Sequence, residues 1–245
     1  MRIACIVPAR MGSSRFPGKP LAKILGKEMI LHVCDNCKKS KIIDDVIVAT
    51  CDGEIEKCIR GKYKVVMTSN LHERASDRCA EAVRKLNENG DYYDYVVMVQ
   101  GDEPMIKGST IDKLLEEIIN NQNVNVINGL GELIVEDLSN PNTIKVLLDQ
   151  NSYAIYMTRN IVPYKPIINE NVWKQVCIIP FKTEVLLKYS DLKPTPLEIS
   201  ESVDMNRLIE HGFKIKMIRV DEFSHAVDSP QDLLKVEGFM KKFNS

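Results

Sequence analysis

The chemistry-bearing residues of this chain gather in a few short stretches. Directly after the apolar run IACIV (3–7) comes PARMGSSRFPGKPL (8–21), which sets Arg10, Arg15 and Lys19 among two glycines, two serines and three prolines. A glycine-bearing loop leaving a strand aims several backbone N–H groups at one anion, and Lys and Arg add point charge and forked donors for phosphate oxygens. The spacing is not that of a Walker loop: Gly12 and Gly18 are one residue too far apart for GxxxxGK[ST], and Pro20 follows Lys19. GxGxxG is also absent, which argues against a dinucleotide-dependent oxidoreductase.

QGDEP (100–104) is the second stretch. Asp102 and Glu103 follow the apolar run YVVMV, with Gly101 permitting a sharp turn. A carboxylate at such a strand end suits Mg²⁺, which takes one or two carboxylates together with substrate phosphates and water. A plain acidic turn has the same composition. In HERASDRCAEAV (72–83), Ser76, Asp77 and Arg78 open a helical pattern, where an Asp also complements the helix dipole. Asp228, in HAVDSPQDL (225–233), suits either a helix cap or a second metal ligand, and spacing does not separate the two. None of His32, His72, His211 and His225 has a partner at metal-ligand spacing, so all four are expected to be structural or exposed. Cys34 and Cys37 have CxxC spacing but share one helical stripe with Met29, Ile30 and Val33. No second CxxC follows, and both read as small buried hydrophobes.

The elements that must position these residues read as an alternation. Apolar runs at 3–7, 45–50, 64–67, 95–100, 124–129 and 143–148 predict buried strands, with further strands at 153–164 and 173–181. Helical patterns at 28–40, 53–62, 75–88 and 110–122 lie between many of them. A capped helix over 229–243 has Ser229 as N-cap, Pro230 at its first position and Asp232 in its first turn. Flat apolar strands alternating with helices predict a mainly parallel α/β sheet covered on both faces, with ligands beyond the carboxyl ends of the strands. Both the opening loop and QGDEP leave strands at that end.

Bulk properties bound the rest. The 245 residues, 44% of them hydrophobic, suffice for one large α/β domain, and a net charge of −1 gives no global field for nucleic acid or an anionic membrane. No run approaches the ~20 apolar residues of a membrane span. Seven cysteines, mostly within apolar or helical patterns, point to a reducing, cytoplasmic setting with free thiols.

Taken in order, IVPARMGSSRFPGKPLAKILGKEMILHV, VMTS, SDRCAEAV, VQGDEPMI, NPNTIKVLLD, TPLEISES and AVDSPQDLLKVE resemble the CMP-Kdo synthetases. These are 3-deoxy-manno-octulosonate cytidylyltransferases related to the CMP-sialic acid synthetases. The resemblance covers essentially the whole chain. It implies a Rossmann-like (GT-A-like) nucleotidyltransferase, a single domain over 1–245 with a smaller dimerisation and sugar-binding lobe at roughly 135–200, and a homodimer. It also implies the reaction, in which CTP and a sugar acid give a CMP-sugar and pyrophosphate with Mg²⁺ as cofactor, for lipopolysaccharide or capsule.

Carried onto this chain, the resemblance gives Ala9, Arg10, Gly12, Ser13, Ser14, Arg15 and Lys19 to the nucleotide, together with Ser76, Asp77, Arg78 and Gln100. Gln100, Arg159, Gln175 and Glu201 fall on the sugar side. Asp102 and Asp228 would hold metal, and Lys19, Arg10 and Asp102 would carry the catalytic charge. The chain departs from the family pattern at Arg74, where a small residue is usual. It departs again at Gln175, in place of a sugar-contacting His, and at Met205, in place of a Gln. These changes leave room for an acceptor other than Kdo, such as 8-amino-Kdo or a sialic or legionaminic type of acid. A catalytically dead homologue would have lost a loop cation or a metal carboxylate, and Arg10, Arg15, Lys19, Asp102 and Asp228 are all present.

Overall fold

A computed structural model describes residues 1–12, 15–220 and 225–243. The chain begins with β1 (Ile3–Ala9), the short hairpin β2 (Lys23–Ile24) and β3 (Lys27–Glu28), and α1 (Met29–Cys37). Then come β4 (Asp45–Thr50), α2 (Gly53–Ile59), β5 (Lys64–Met67), α3 (Ala75–Glu88), β6 (Tyr95–Val99) and α4 (Gly108–Asn120). The middle holds β7 (Ile127–Gly131), α5 (Val135–Leu138), β8 (Lys145–Leu148), β9 (Ala154–Thr158), β10 (Trp173–Val176) and β11 (Ile178–Lys182). The chain closes with α6 (Thr183–Asp191), α7 (Pro196–Glu201), α8 (Met205–Glu210), β12 (Lys216–Arg219) and α9 (Pro230–Phe243).

The first sheet has the order β11-β6-β1-β4-β5, in which only β11 runs antiparallel to its neighbour. Its strands are flat apolar runs because both faces are covered, and β1 is buried at every position. Side chains alternate across the pleat. Ala4 and Ile6 pack toward Ala80 and Val83 of α3 and Leu186 of α6, while Ile3, Cys5 and Val7 pack toward Ile30 and Val33 of α1 and Leu114 of α4. From β1 the chain moves outward to β4 and β5, then returns across the sheet to β6 on the other side of β1. That reversal opens a crevice beyond the carboxyl ends of β1 and β6, where ligands bind in sheets of this kind.

The second sheet, ordered β12-β7-β10-β8-β9, is mostly antiparallel. The apolar run 173–181, expected as one strand, is two. Val176 pairs with Gly129 in the second sheet, and Ile178 pairs with Val99 in the first, so the chain changes sheets at Cys177. The glycines of β7 permit this: a Cβ on Gly131 would stand 2.9 Å from Val176 Cγ2. The expected strand over 153–164 ends at Thr158, where the Arg159 side chain turns into the crevice wall. The second sheet draws on β7 and β12, outside 135–200, whereas β11, inside that range, belongs to the first. The lobe is therefore not one contiguous segment. Helices α5 to α8, four to nine residues long, and strand β12 had no expectation attached. No described helix is long and apolar enough to cross a membrane.

Cys34 and Cys37 are wholly buried, and all seven cysteines are free thiols. The first turn of α4 docks on the end of α1, where Asp112 accepts from Ser40 Oγ and from the backbone N–H of Lys41. A Cβ on Gly108 would lie 2.4 Å from the Ser40 nitrogen and 2.5 Å from the Lys39 carbonyl carbon, both backbone atoms. Gly108→Ala is expected to cost about 1–3 kcal/mol, and thermal unfolding should show a Tm lower by several degrees.

Candidate active site

The crevice is built from backbone constraints first. The loop after β1 closes where the N–H of Gly18 donates to Met11 O at 3.1 Å, with Gly18 at φ +74°, a conformation that favours glycine. A short helical turn, Lys19–Leu21, follows and carries Lys19 back over the strand ends. On the other side of the loop, the Met11 N–H donates to Asp52 Oδ2 at 2.8 Å, tying it to the end of β4. A Cβ on Gly101 would come within 3.1 Å of Pro8 O, so glycine lets the loops after β1 and β6 pass closely. Asp102 follows, and its carbonyl accepts from Val227 N at 2.9 Å, which draws the segment before α9 to the end of β6. Ser229 and Asp232 cap α9 reciprocally, with Ser229 Oγ donating to Asp232 Oδ2 at 2.7 Å. Asp228 is thereby brought opposite Asp102.

One ammonium lies between these carboxylates. Lys19 Nζ is 2.6 Å from Asp102 Oδ2 and 3.8 Å from Asp228 Oδ1. Arg15 reaches Asp228 Oδ1 at 3.0 Å and donates its other Nη to Asn142. Burial, and then the charge of Asp102, raise the Asp228 pKa above the usual carboxylate range despite Lys19 and Arg15. Two mutually repelling carboxylates that share a cation are the donor set Mg²⁺ uses when phosphate and water complete its shell. No group of three or more His, Cys, Asp or Glu suited to a metal occurs among the described residues, so phosphate oxygens would have to supply the remainder.

The facing wall is cationic. Arg159 donates Nε to Glu201 O at 2.7 Å, Nη1 to Pro141 O at 2.8 Å and Nη2 to Ser202 O at 3.2 Å. A guanidinium has five N–H groups, so each Nη keeps one more. Burial, and then the nearby Arg15, lower the Arg159 pKa despite the charges of Asp228 and Glu201. Behind it, Lys145 is wholly buried and donates to Asn140 O, Thr143 O and Arg159 O at 2.9, 2.8 and 2.6 Å. Gln175 Nε2 donates to Asn128 Oδ1 at 2.6 Å, while its Oε1 is buried without a partner among the described residues. At the base of α3, Arg78 is 3% exposed and donates Nη1 to Thr68 Oγ1 at 2.5 Å. Its buried Nη2 has no partner there, and no carboxylate pairs with it.

Most of the sequence-predicted residues share a single cleft of about 930 Å³. Ala9, Arg10, Gly12, Arg15 and Lys19 line it from the end of β1 and the opening loop, Arg78 from α3, and Gln100 and Asp102 from the loop after β6. Arg159, Gln175 and Asp228 complete it. Ser13 and Ser14 lie outside the described residues. Three residues expected there do not line it. Ser76 is buried and donates its N–H and Oγ to Asp204 Oδ2. Asp77 accepts on both oxygens from Arg207, at 2.9 and 3.1 Å. Glu201, 7% exposed, accepts from Tyr156 OH at 2.7 Å and from the Arg159 backbone N–H at 2.8 Å, so it supports Arg159 from behind. All three were assigned by alignment with a motif, and folding spends their polar atoms on neighbours.

Lys145, Asn128, Asn142 and Arg207 had no expected role. Lys145 did carry a signal, being the one charged residue of the apolar run 143–148, and Asn128 is one of two asparagines in the run 124–129. His72, also at the cleft, is paired with Glu81, and His32 with the carbonyl of Ile24, in keeping with structural histidines.

Arg207, 3% exposed, also pairs with Glu198 at 2.6 and 2.7 Å and stacks 4.2 Å from the Tyr189 ring centre. Burial alone would raise the Glu198 pKa, but Arg207 holds it below the usual range. Removing one partner strands a buried charge, so Arg207→Ala should destabilise by about 3–5 kcal/mol, read as a lower denaturation midpoint. Asp228 has the opposite sign. A carboxyl whose folded-state pKa lies above its unfolded value is disfavoured by folding once ionised, above that pKa. In EDTA at pH 7, Asp228→Asn should therefore melt no lower than the parent, and any gain should shrink as pH falls below the raised pKa and vanish below the ordinary carboxylate range.

The comparisons with known proteins agree with this architecture. A family model described as Cytidylyltransferase matches residues 4–216. The 3-deoxy-manno-octulosonate cytidylyltransferase, mitochondrial, of Arabidopsis thaliana is 38% identical over 248 residues, covering 99% of this chain and 84% of that protein. The 3-deoxy-manno-octulosonate cytidylyltransferase of Thermodesulfovibrio yellowstonii is 37% identical over 253 residues, covering 98% of each. Among solved structures, a CMP:2-keto-3-deoxy-manno-octonic acid synthetase complexed with CTP superposes with a TM-score of 0.88 at 32% identity, covering 99% of each chain. A 4-diphosphocytidyl-2C-methyl-D-erythritol synthase shares the fold at a TM-score of 0.68 and 14% identity. With the strand-end crevice, its paired carboxylates and its loop cations, these matches make this chain a member of the cytidylyltransferase family.

Proposed function

We propose that the protein transfers a cytidylyl group from CTP to the anomeric hydroxyl of a 3-deoxy-ulosonic acid, with Kdo as the acceptor and pyrophosphate as the second product. The observation that carries this reading is the meeting of Lys19 and Arg15 with Asp102 and Asp228 at the point where the strand order of the first sheet reverses. The triphosphate lies along the opening loop, on Arg10, Arg15, Lys19 and the N–H groups around Gly12. The base end reaches Arg78, whose unspent Nη2 supplies a donor. The acceptor carboxylate takes the two remaining N–H groups of Arg159, and Gln100 and Gln175 face the sugar hydroxyls.

The hydroxyl oxygen forms a bond to the α-phosphorus as the bond to the β-phosphate oxygen breaks. Pyrophosphate leaves with the electron pair, and the hydroxyl proton passes to solvent. The protein forms no covalent bond, so its contribution is positioning and charge stabilisation. Arg10, Arg15 and Lys19 counter the charge that grows on the leaving group. Asp102 and Asp228 would hold Mg²⁺, which supplies further charge neutralisation at the phosphates.

We also propose a homodimer formed through the second lobe. Six large apolar side chains there face solvent in one chain: Ile134, Val135, Ile155, Ile161, Tyr164 and Ile167, with Tyr164 96% exposed. Apolar exposure concentrated in one region marks an interaction surface. Seven free thiols suit a cytoplasmic setting.

The test is pyrophosphate release from CTP and Mg²⁺ with Kdo, 8-amino-Kdo, N-acetylneuraminate, legionaminate or no acceptor. Release with Kdo is expected, and release only with another acid would assign Gln175 and Met205 to a changed acceptor preference. Asp102→Asn should lower turnover by orders of magnitude with the fold intact, and near-normal turnover would overturn the metal assignment. Arg159→Lys loses the forked donor pair. Its KM for the sugar acid should rise about tenfold or more, with little change in that for CTP.

A further inference from the structure

Lys19 contacts both carboxylates of the proposed metal site, and that contact reaches beyond phosphate binding. The three side chains are only 13%, 21% and 21% exposed, so solvent screens the cluster weakly. With Arg15 on Asp228, two cations balance two carboxylates, and the site is neutral before any ligand arrives. We propose that Lys19 is a placeholder cation: in the nucleotide-free protein its ammonium holds the carboxylates that would otherwise take the metal, and it leaves them only when a triphosphate offers new acceptors. The proposal rests on the metal assignment made above.

A divalent cation entering alone must approach an ammonium 2.6 Å from Asp102 and break that ion pair. The displaced ammonium would then lie beside two further positive charges with no carboxylate in exchange. A nucleotide changes this balance, because its phosphates accept Lys19 and Arg15 together and release both carboxylates. The backbone need not move: the Gly18 turn and the helical turn Lys19–Leu21 fix the stem of Lys19, and rotation of its side chain suffices. Metal and nucleotide binding then strengthen one another reciprocally. Binding metal without nucleotide is disfavoured, so the carboxylates do not capture divalent ions idly.

The experiment measures Mn²⁺ binding to the nucleotide-free protein by the loss of the free-ion electron paramagnetic resonance signal. Lys19→Gln is expected to bind Mn²⁺ at least about tenfold more tightly than the parent, and Lys19→Met should behave alike if the glutamine variant fails to fold. Lys19→Arg keeps the cation and should restore weak binding. Arg10→Gln removes a cleft cation of the same sign that pairs with neither carboxylate, and it should leave Mn²⁺ affinity within about twofold of the parent. Equal tightening by Arg10→Gln and Lys19→Gln would show a general field effect and overturn the placeholder role. So would a Lys19→Gln protein that binds no more tightly than the parent. Asp102→Asn distinguishes the two readings. If it weakens binding while Lys19→Gln does not strengthen it, the placeholder alone fails. If it leaves binding unchanged in both the parent and the Lys19→Gln background, the metal assignment fails and takes the placeholder with it.

Discussion

The structure depends on one constraint, the side-by-side parallel placement of β1 and β6 with chain leaving them toward opposite edges of the sheet. Only at such a reversal do two strand-end loops diverge enough to leave a crevice between them. The closeness of the two strands is equally strict. Gly101 eases this approach because a Cβ there would stand only 3.1 Å from Pro8 O, and the positive φ of Gly18 folds the long loop back over the opening. With those backbone conditions met, Lys19 and Asp102 come from segments more than eighty residues apart into direct contact, and the C-terminal segment then adds Asp228.

Charge in this protein is handled in two ways. Behind the cleft, Arg207 pairs with Asp77 and Glu198, and Arg74 at the cleft wall also pairs with Glu198, which locks α3, α7 and α8 together. At the cleft, the sets are left open. Among the described residues Arg78 has a buried donor without a partner and Arg159 has N–H groups to spare, and Asp228 is a carboxyl whose ionisation the fold opposes. Buried polar groups are ordinarily paired, and an unpaired one costs stability. Their concentration around one cleft suits a site that a ligand completes. Lys19 and Arg15 are its internal counter-ions.

Some residues support the site without facing it. Glu201 fixes the Arg159 backbone through its N–H, and the buried Lys145 ties the carbonyls of residues 140 and 143 to that of Arg159. Asn142, on the same loop, meets Arg15 across the cleft, so the two lobes touch through a side chain that also reaches Asp228. Asn128 likewise holds Gln175 while its own amide donates to the Val176 carbonyl. These contacts fix the Gln175 side chain and the strand that carries it.

The strand-and-helix alternation of the first half, the strand ends that carry Arg10 and Asp102, and the capped last helix were determined by local pattern alone. Flat apolar strands, Gly and Pro placement and a Ser-Pro-x-Asp start are features of neighbouring residues, and chain chemistry reads them directly. The motif residues of the opening loop and QGDEP were legible for the same reason. Helix α7 also carries a local signal, the Thr195–Glu198 capping box with Pro196 at its first position. What neighbours cannot express was decided by the tertiary structure. The sheet change at Cys177 depends on which partner each half of an apolar run meets. Ser76, Asp77 and Glu201 have side chains as suitable for a ligand as for Asp204, Arg207 or Tyr156, and only the folded arrangement puts those partners nearer. The meeting of Lys19 with two carboxylates belongs to the same class, because a hydrogen bond or ion pair reaches only a few ångströms, and distance across a fold is not written in sequence separation.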